Sequence, residues 1–167
     1  MKNTNPSLKR QYHTSMWVLS FILQTSVVFL ALGFWGCKAN RTGPPELVAD
    51  KIACKQCNML LSETRFAAAY EDADGNTQVF DDIGCMLNTL RNAQKLPENI
   101  WVRDYKQDTW LEANAATFVS SKRLGTPMNY GFVALSNVKD ADELAKTSDG
   151  KVLAGFDTLI KEFRGIS

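Results

Sequence analysis

Histidine is almost absent from this sequence of 167 residues. Its one histidine, His13, lies near the N-terminus, so residues 38–167 have none. Imidazole is the commonest metal ligand and a frequent general base in proteins. Its absence excludes a histidine-based metal site and a Ser-His or Cys-His catalytic pair within residues 38–167.

An excess of charge of one sign is also missing. The formal net charge is +1, and the first 36 residues carry three basic residues, Lys2, Lys9 and Arg10, with no acidic one. The rest of the chain therefore has 16 of the 19 basic residues against all 18 acidic residues. Because phosphate contacts require a basic patch, this balance argues against a nucleic-acid partner.

Residues 1–36 have the pattern of a signal peptide or membrane anchor. The basic residues precede an uncharged, apolar stretch over residues 14–36, about as long as the roughly 20 residues that span a bilayer. Basic residues stay in the cytoplasm, so the rest of the chain is predicted to be exported. Gly36 before Cys37 is similar to a bacterial lipobox, which predicts a lipid on Cys37 and a periplasmic domain at a membrane surface. An uncleaved transmembrane anchor is the alternative.

The sequence predicts an α+β fold with two small, related halves of short antiparallel strands and helices. Residues 37–50 are predicted to be a tether, since the consecutive prolines Pro44 and Pro45 disfavour a helix. Residues 51–98 and 99–167 are predicted to be the two halves. Each contains a glycine, a short strand, an aspartate and a helix in that order, which is a loose internal match.

Turn chemistry and hydrophobic spacing predict the elements of each half. An Asp-Gly turn at Gly75 lies between two short apolar runs and predicts a β-hairpin. Asp81 and Asp82 precede a stretch with Leu87 and Leu90 on one face, so they offer a helix cap. The predicted strands cover residues 66–70, 77–80, 100–102, 109–111, 130–135 and 150–153, and the predicted helices cover residues 83–93, 141–146 and 156–163.

The most informative local motif contains sulfur. Two residues separate Cys54 from Cys57, and Met59 follows two positions later. This spacing can bring both cysteine sulfurs to one ion, because the residues between them form a tight turn. Soft thiolate and thioether ligands select copper(I), zinc or iron–sulfur clusters over hard cations. The methionine favours copper(I) among these.

Other interpretations of the motif remain open on the residues alone. A zinc ribbon needs a second close pair of ligands, and a c-type haem site needs histidine where Asn58 stands. A redox pair or a structural disulfide between Cys54 and Cys57 fits an oxidising compartment. Cys85 is predicted to be a small buried side chain on the helix, or else a third thiolate or a resolving cysteine. Met128 follows a proline in a loop, where it either packs or supplies a thioether.

Several segments, in this order, resemble the NosL family of copper-binding accessory lipoproteins of nitrous oxide reductase assembly. The resemblance runs from about residue 49 to residue 163. The segments are Cys54-x-x-Cys57-Asn58-Met59, Phe66-Ala67-Ala68, Phe80-Asp81-Asp82-Ile83-Gly84-Cys85-Met86-Leu87, Trp110-Leu111-Glu112-Ala113, Ala116-x-Phe118-Val119 and Thr126-Pro127-Met128-Asn129-Tyr130-Gly131-Phe132. Two departures are that Asn58 stands where the family commonly has glycine, and that the exported part has no histidine to act as a ligand.

The resemblance implies a domain that binds copper(I) and delivers it to nitrous oxide reductase through an ABC-type membrane complex. The resemblance also supports Met128 as a metal ligand, because Met128 falls where the family has its proline-linked methionine. The predicted ligands are therefore Cys54, Cys57, Met59 and Met128, in a carrier rather than an enzyme. The alternatives are a membrane-tethered thiol–disulfide oxidoreductase that uses Cys54 and Cys57, and an anchored structural module with a stabilising disulfide.

Overall fold

Seven short strands and three α-helices form the part of the chain that the computed structural model describes, residues 43–165. The strands are β1 (Ala68–Glu71), β2 (Thr77–Phe80), β3 (Ile100–Arg103), β4 (Trp110–Glu112), β5 (Thr117–Ser120), β6 (Phe132–Leu135) and β7 (Lys151–Ala154). The helices are α1 (Ile83–Leu90), α2 (Val138–Ser148) and α3 (Gly155–Gly165). Their arrangement in two antiparallel sheets with helices confirms the predicted α+β class.

The first sheet has the strand order β2-β1-β3-β4, with antiparallel neighbours throughout. Its β1–β2 hairpin is the predicted one, because the Asp72 carboxylate accepts two backbone N–H groups and closes the turn. Gly75 in this turn has φ +77°, a left-handed conformation that glycine adopts without steric cost. Strand β1 begins at Ala68, two residues after its predicted start, because residues 64–66 form a 3-10 turn.

Helix α1 packs against the first sheet and begins where the sequence predicts. The Asp82 side chain caps it by accepting the Gly84 N–H at 2.6 Å. Both leucines of the predicted apolar face are buried. The helix ends at Leu90 and not at residue 93, because Arg91 and Ala93 donate to carbonyls three residues back and so form tighter turns.

The second sheet has the strand order β6-β5-β7 and is also antiparallel. The sequence predicts no strand at its central member, β5, although this strand pairs along its whole length on both sides. Thr117, Phe118 and Val119 are all buried. Because both faces of the strand are covered, the run lacks the polar–apolar alternation that would have indicated a strand.

The two helices of the second half are longer than predicted. Helix α2 covers Val138–Ser148 rather than residues 141–146, because the Asn137 side chain accepts the Lys139 N–H and caps an earlier start. The helix ends where Asp149 adopts a left-handed conformation with φ 53°. Helix α3 begins one residue before its predicted start and ends two residues after its predicted end.

The two sheets share one hydrophobic core. Strands β3 and β4 belong to the first sheet, so the predicted boundary between residues 98 and 99 precedes two of its four strands. Asp104 follows β3, and its buried carboxylate accepts the N–H groups of Lys106 and Gln107 and, at 2.8 Å, that of Ser136 after β6. This side chain connects the two sheets.

The described part of the predicted tether, residues 43–50, contacts the domain. The Trp110 indole N–H donates to the Pro45 carbonyl at 2.8 Å, and the Asp50 N–H donates to the Leu61 carbonyl at 3.0 Å. The predicted export segment, residues 1–36, and the predicted lipidation site, Cys37, lie outside the described residues. Within residues 43–165, no helix has the length and apolar character needed to cross a membrane.

Candidate metal centre

The segment from Cys54 to Met59 forms a tight turn closed by backbone hydrogen bonds. The Cys54 N–H donates to the Met59 carbonyl at 2.8 Å, and the Asn58 N–H donates to the Cys54 carbonyl at 2.9 Å. Asn58 has φ 60°, a left-handed conformation that asparagine tolerates better than most residues with a side chain. Asparagine therefore meets the backbone requirement of this turn at the position where the resemblance implies glycine.

Three cysteine sulfurs meet at this turn. The Sγ atoms of Cys54, Cys57 and Cys85 all lie within 4.8 Å of one another. Cys54 and Cys85 are each only 1% exposed, whereas Cys57 is partly exposed, and all three are free thiols. Sulfurs bound to one ion at about 2.3 Å lie roughly 4 Å apart. The three thiols are therefore close to the spacing of a three-sulfur metal site.

Cys85 comes from helix α1 and not from the turn. It is the third residue of the helix, so the Asp82 cap that sets the start of α1 also sets the position of this thiol. The sequence favours Cys85 as a buried small side chain, and it is buried, but its sulfur also belongs to the cluster. The available signal was the number of cysteines: if Cys37 carries the predicted lipid, three remain, and three thiols cannot all pair within one chain.

Burial and mutual proximity raise the pKa values of the Cys57 and Cys85 thiols. Burial raises the pKa of the Cys57 thiol, and the neighbouring Cys54 raises it further. Burial also raises the pKa of Cys85 far above its usual value, again with a contribution from Cys54. Soft metals bind the thiolate form, so a metal ion that enters the cluster has to displace protons.

The two predicted methionine ligands lie in different environments. Met59 directly follows the turn, and its side chain is 48% exposed. Met128 is half-buried and packs against the core cluster that contains Cys54 and Cys85. Met59 is thus accessible to an incoming molecule, whereas Met128 is held within the fold.

The loop that carries Met128, residues 126–131, lies over the start of α1. The Met128 N–H donates to Asp82 Oδ2 at 3.1 Å. A Cβ atom at Gly84 would lie 2.0 Å from Cγ of Tyr130, so the close approach of this ring requires glycine there. Burial raises the pKa of the Tyr130 hydroxyl, and the nearby Cys85 contributes to the rise. The loop and the cysteine cluster are therefore neighbours.

Two buried carboxyl groups also lie beside the centre, and the sequence favours capping and turn roles for both. Asp82 caps α1, and Asp81 Oδ1 accepts the Ser62 N–H at 3.3 Å. Burial raises the pKa of both carboxyl groups. Their hydrogen bonds to backbone N–H groups are consistent with the predicted structural roles.

Comparison with known proteins provides an independent observation. The sequence model of the NosL family matches residues 45–163 of this chain. The chain is also similar to the crystal structure of the copper chaperone NosL from Shewanella denitrificans, with a TM-score of 0.59 and 19% sequence identity. The similarity covers 68% of this chain and 93% of that chain. No curated protein matches. At this identity, the structural match shows that the fold is shared.

Proposed function

This chain belongs to the NosL family, and on that premise we propose that it is a copper(I)-binding metallochaperone. In this proposal it delivers copper to nitrous oxide reductase during the assembly of that enzyme. The observation that carries the proposal is the cluster of three cysteine sulfurs within 4.8 Å of one another. Copper is the cargo and leaves the site unchanged, so the function requires no catalytic group.

The chemistry of the donor set supports copper(I). Residues 38–167 contain no histidine, so they offer no imidazole ligand. Cysteine and methionine sulfur are the side-chain ligands in this part of the chain that a soft metal prefers. We assign the thiolates of Cys54, Cys57 and Cys85 to the ion, with the Met128 thioether as a fourth ligand and the exposed Met59 thioether in exchange with Cys57 as copper enters or leaves. Structural zinc sites use four cysteine or histidine ligands, and this cluster supplies only three.

The graded exposure of the sulfurs supports delivery to a partner. Cys54 and Cys85 are each 1% exposed, whereas Cys57 is partly exposed and Met59 is 48% exposed. A sulfur from a partner can therefore approach the ion from the side of Cys57 and Met59 while two buried thiolates still hold it. Exchange of one ligand at a time would transfer copper without releasing a free ion.

We propose that the domain works on the periplasmic side of a bacterial membrane. The basic and then apolar pattern of residues 1–36 supports export and anchoring, either by that segment or by a lipid on Cys37. Nitrous oxide reductase and its ABC-type membrane assembly complex are the proposed partners, by resemblance to the family. The similar solved structure is that of a protein described as a copper chaperone, which supports a carrier role.

The binding step is tested by anaerobic titration of the reduced, full-length chain with copper(I) against a colorimetric copper(I) chelator. One tightly bound ion per chain, with a sulfur-dominated shell in X-ray absorption, is expected. A triple serine variant at Cys54, Cys57 and Cys85 should lose this binding, whereas the matched Cys37→Ser variant should keep it. Failure of the unaltered chain to withdraw copper from the chelator would refute the proposal.

The delivery step needs a separate experiment. The copper-loaded chain is mixed with copper-free nitrous oxide reductase and membranes that contain the assembly complex, and the copper content of the reductase is measured. Transfer should require the copper-loaded chain and should not be reproduced by the triple serine variant. If the chain binds copper tightly but never loads the reductase, copper binding stands and delivery to nitrous oxide reductase is refuted.

A thiol–disulfide oxidoreductase is the alternative function, since Cys54 and Cys57 are free thiols close to each other. A third thiol within 4.8 Å of both, that of Cys85, favours a three-sulfur metal site over a two-sulfur redox pair. Replacing Met59 and Met128 with leucine separates the two functions. Copper(I) affinity should fall in this variant, whereas dithiol oxidation and reduction should proceed as before.

A further inference from the structure

Asp82 connects the cysteine cluster with the second half of the chain. Its side chain is fully buried, and its two oxygens bind different segments. Oδ1 accepts the Gly84 N–H at 2.6 Å, and Oδ2 accepts the Met128 N–H at 3.1 Å from a residue 46 positions away. Gly84 precedes Cys85 in the first turn of α1. One carboxylate therefore ties the helix with a cluster thiol to the loop with a candidate thioether.

Two further contacts hold the same loop against α1. The Thr126 hydroxyl lies beside the Asp82 carboxyl and accepts the Gly131 N–H at 3.2 Å. The Tyr130 ring lies directly against Gly84, where even a methyl group would collide with it. Met128 lies between these two contacts in the sequence, so its backbone position relative to α1 is defined on both sides.

We propose that Asp82 is a positioning residue that holds the Met128 thioether at the three cysteine sulfurs. The inference rests on the proposed copper-binding function and gives Asp82 a role without contact with the metal. A carboxylate oxygen is a poor ligand for a soft ion, and both oxygens of Asp82 already accept backbone N–H groups. Residues that orient metal ligands through hydrogen bonds commonly affect metal affinity as well as structure.

A simple helix cap is the competing role for Asp82. Capping needs one carboxylate oxygen, and its loss lowers the stability of the fold. Because the cap also sets the position of Cys85 in the first turn of α1, the test has to keep the cap and remove only the contact of the second oxygen. The second oxygen distinguishes the two roles, because it binds only the Met128 segment and its loss should act through Met128 alone.

The test compares Asp82→Asn, Met128→Leu and the double variant in the reduced, full-length chain. Asparagine caps helices as well as aspartate does, so its oxygen can still accept the Gly84 N–H, but its –NH2 group cannot accept the Met128 N–H. Copper(I) affinity is measured by competition with a chelator, and the sulfur shell by X-ray absorption. Each single variant should lower the affinity about tenfold. The double variant should lower it about tenfold as well, instead of roughly a hundredfold, because both changes remove the same contact.

Asp81→Asn is the matched control. Asp81 is adjacent and equally buried, but its carboxylate accepts the Ser62 N–H and not the loop, so copper(I) affinity should not change. If Asp82→Asn does not fold, Thr126→Val replaces it, since this variant removes the hydroxyl that lies beside Asp82 and accepts the Gly131 N–H of the loop, and it leaves the cap intact. It should lower copper(I) affinity when Met128 is present and have no effect in the Met128→Leu background.

The outcomes separate this inference from the function on which it rests. Unchanged affinity and an unchanged sulfur shell in Asp82→Asn would overturn the positioning role, as would additive losses in the double variant. Equal losses in Asp81→Asn and Asp82→Asn would also overturn it, because they would reflect a general loss of buried charge. If the unaltered chain binds no copper(I), the proposed function itself fails, and that result is visible without any Asp82 variant.

Discussion

The two regions of the domain differ in their content of reactive groups. Residues 51–112, here called the sulfur region, contain the turn, α1 and the first sheet, with all three clustered cysteines. Residues 113–165, here called the support region, contain the second sheet and no cysteine. Aromatic pairs occur in both regions, with ring centroids 5.4 Å apart for Tyr70–Phe80 and 6.0 Å apart for Phe132–Phe163, so the cysteines are what distinguishes the sulfur region.

The two regions make different contributions to the proposed metal centre. The sulfur region brings its thiols together through a tight turn and a helix start, both set by local hydrogen bonds. The support region contributes to the centre through one loop, residues 126–131, which Asp82 holds in place. Most of the support region should therefore influence stability, whereas the sulfur region should influence copper affinity.

The largest expected effect is on stability, from Phe118→Ala in the support region. Phe118 is fully buried in the central strand β5, and removal of a buried phenylalanine ring typically costs about 3–5 kcal/mol of unfolding free energy. Urea unfolding followed by circular dichroism and by tryptophan fluorescence measures the loss. Trp101 and Trp110 report on the first sheet, and their transition should shift as well because the sheets share one core. A shift seen only in the circular dichroism signal would contradict the shared core.

The next largest effect is on copper affinity, from Cys85→Ser in the sulfur region. Loss of a direct thiolate ligand should lower the copper(I) affinity by roughly a hundredfold or more. This is at least as much as the loss caused by removing a residue that only hydrogen-bonds to a metal ligand. Competition with a chelator measures the change. Phe118→Ala serves as the comparison, since its folded molecules should bind copper(I) normally. If Cys85→Ser retained full affinity, Cys85 would be only a buried side chain beside the centre.

Asp104→Asn tests the connection between the two regions. Burial disfavours the ionised Asp104 carboxyl, but the hydrogen bonds from Ser136, Gln107 and Lys106 outweigh this and lower its pKa. A lowered pKa in the folded state stabilises the fold above the unfolded-state pKa, and this contribution is lost as pH falls through the folded-state pKa. The variant should thus lose on the order of 1–3 kcal/mol at neutral pH. The difference from the unaltered chain should shrink below about pH 4. Urea unfolding at several pH values checks this, and a pH-independent difference would contradict it.

The smallest expected effect is from Met59→Leu. Met59 is 48% exposed, so holding its side chain on the ion costs conformational entropy that offsets part of the bond. Copper(I) affinity should fall by less than about tenfold, while the rate at which a chelator withdraws copper should change more. Stopped-flow mixing with the chelator measures that rate, with Met128→Leu as the buried counterpart. Equal effects of the two variants on affinity and rate would contradict the prediction that the exposed Met59 and the half-buried Met128 have different roles.

Local sequence signals predicted the elements with their own turn or cap chemistry. The Asp72–Gly75 turn predicted the β1–β2 hairpin, and Asp82 predicted the start of α1, because both depend on contacts within a few residues. The central strand β5 was not predicted, since its burial comes from elements that lie far away in the sequence. The ends of helices were also missed where a cap such as Asn137 went unrecognised.

The sequence by itself predicted a soft, histidine-free donor set with the Cys54–Cys57 pair, and it determined the α+β class and the resemblance to the NosL family. These follow from residue identity and short spacing. Only the tertiary structure decided that the Cys85 sulfur joins that pair and that Asp82 bonds to Met128. Both contacts join segments that are remote in the chain, and packing of a shared core, which no local pattern encodes, brings them together.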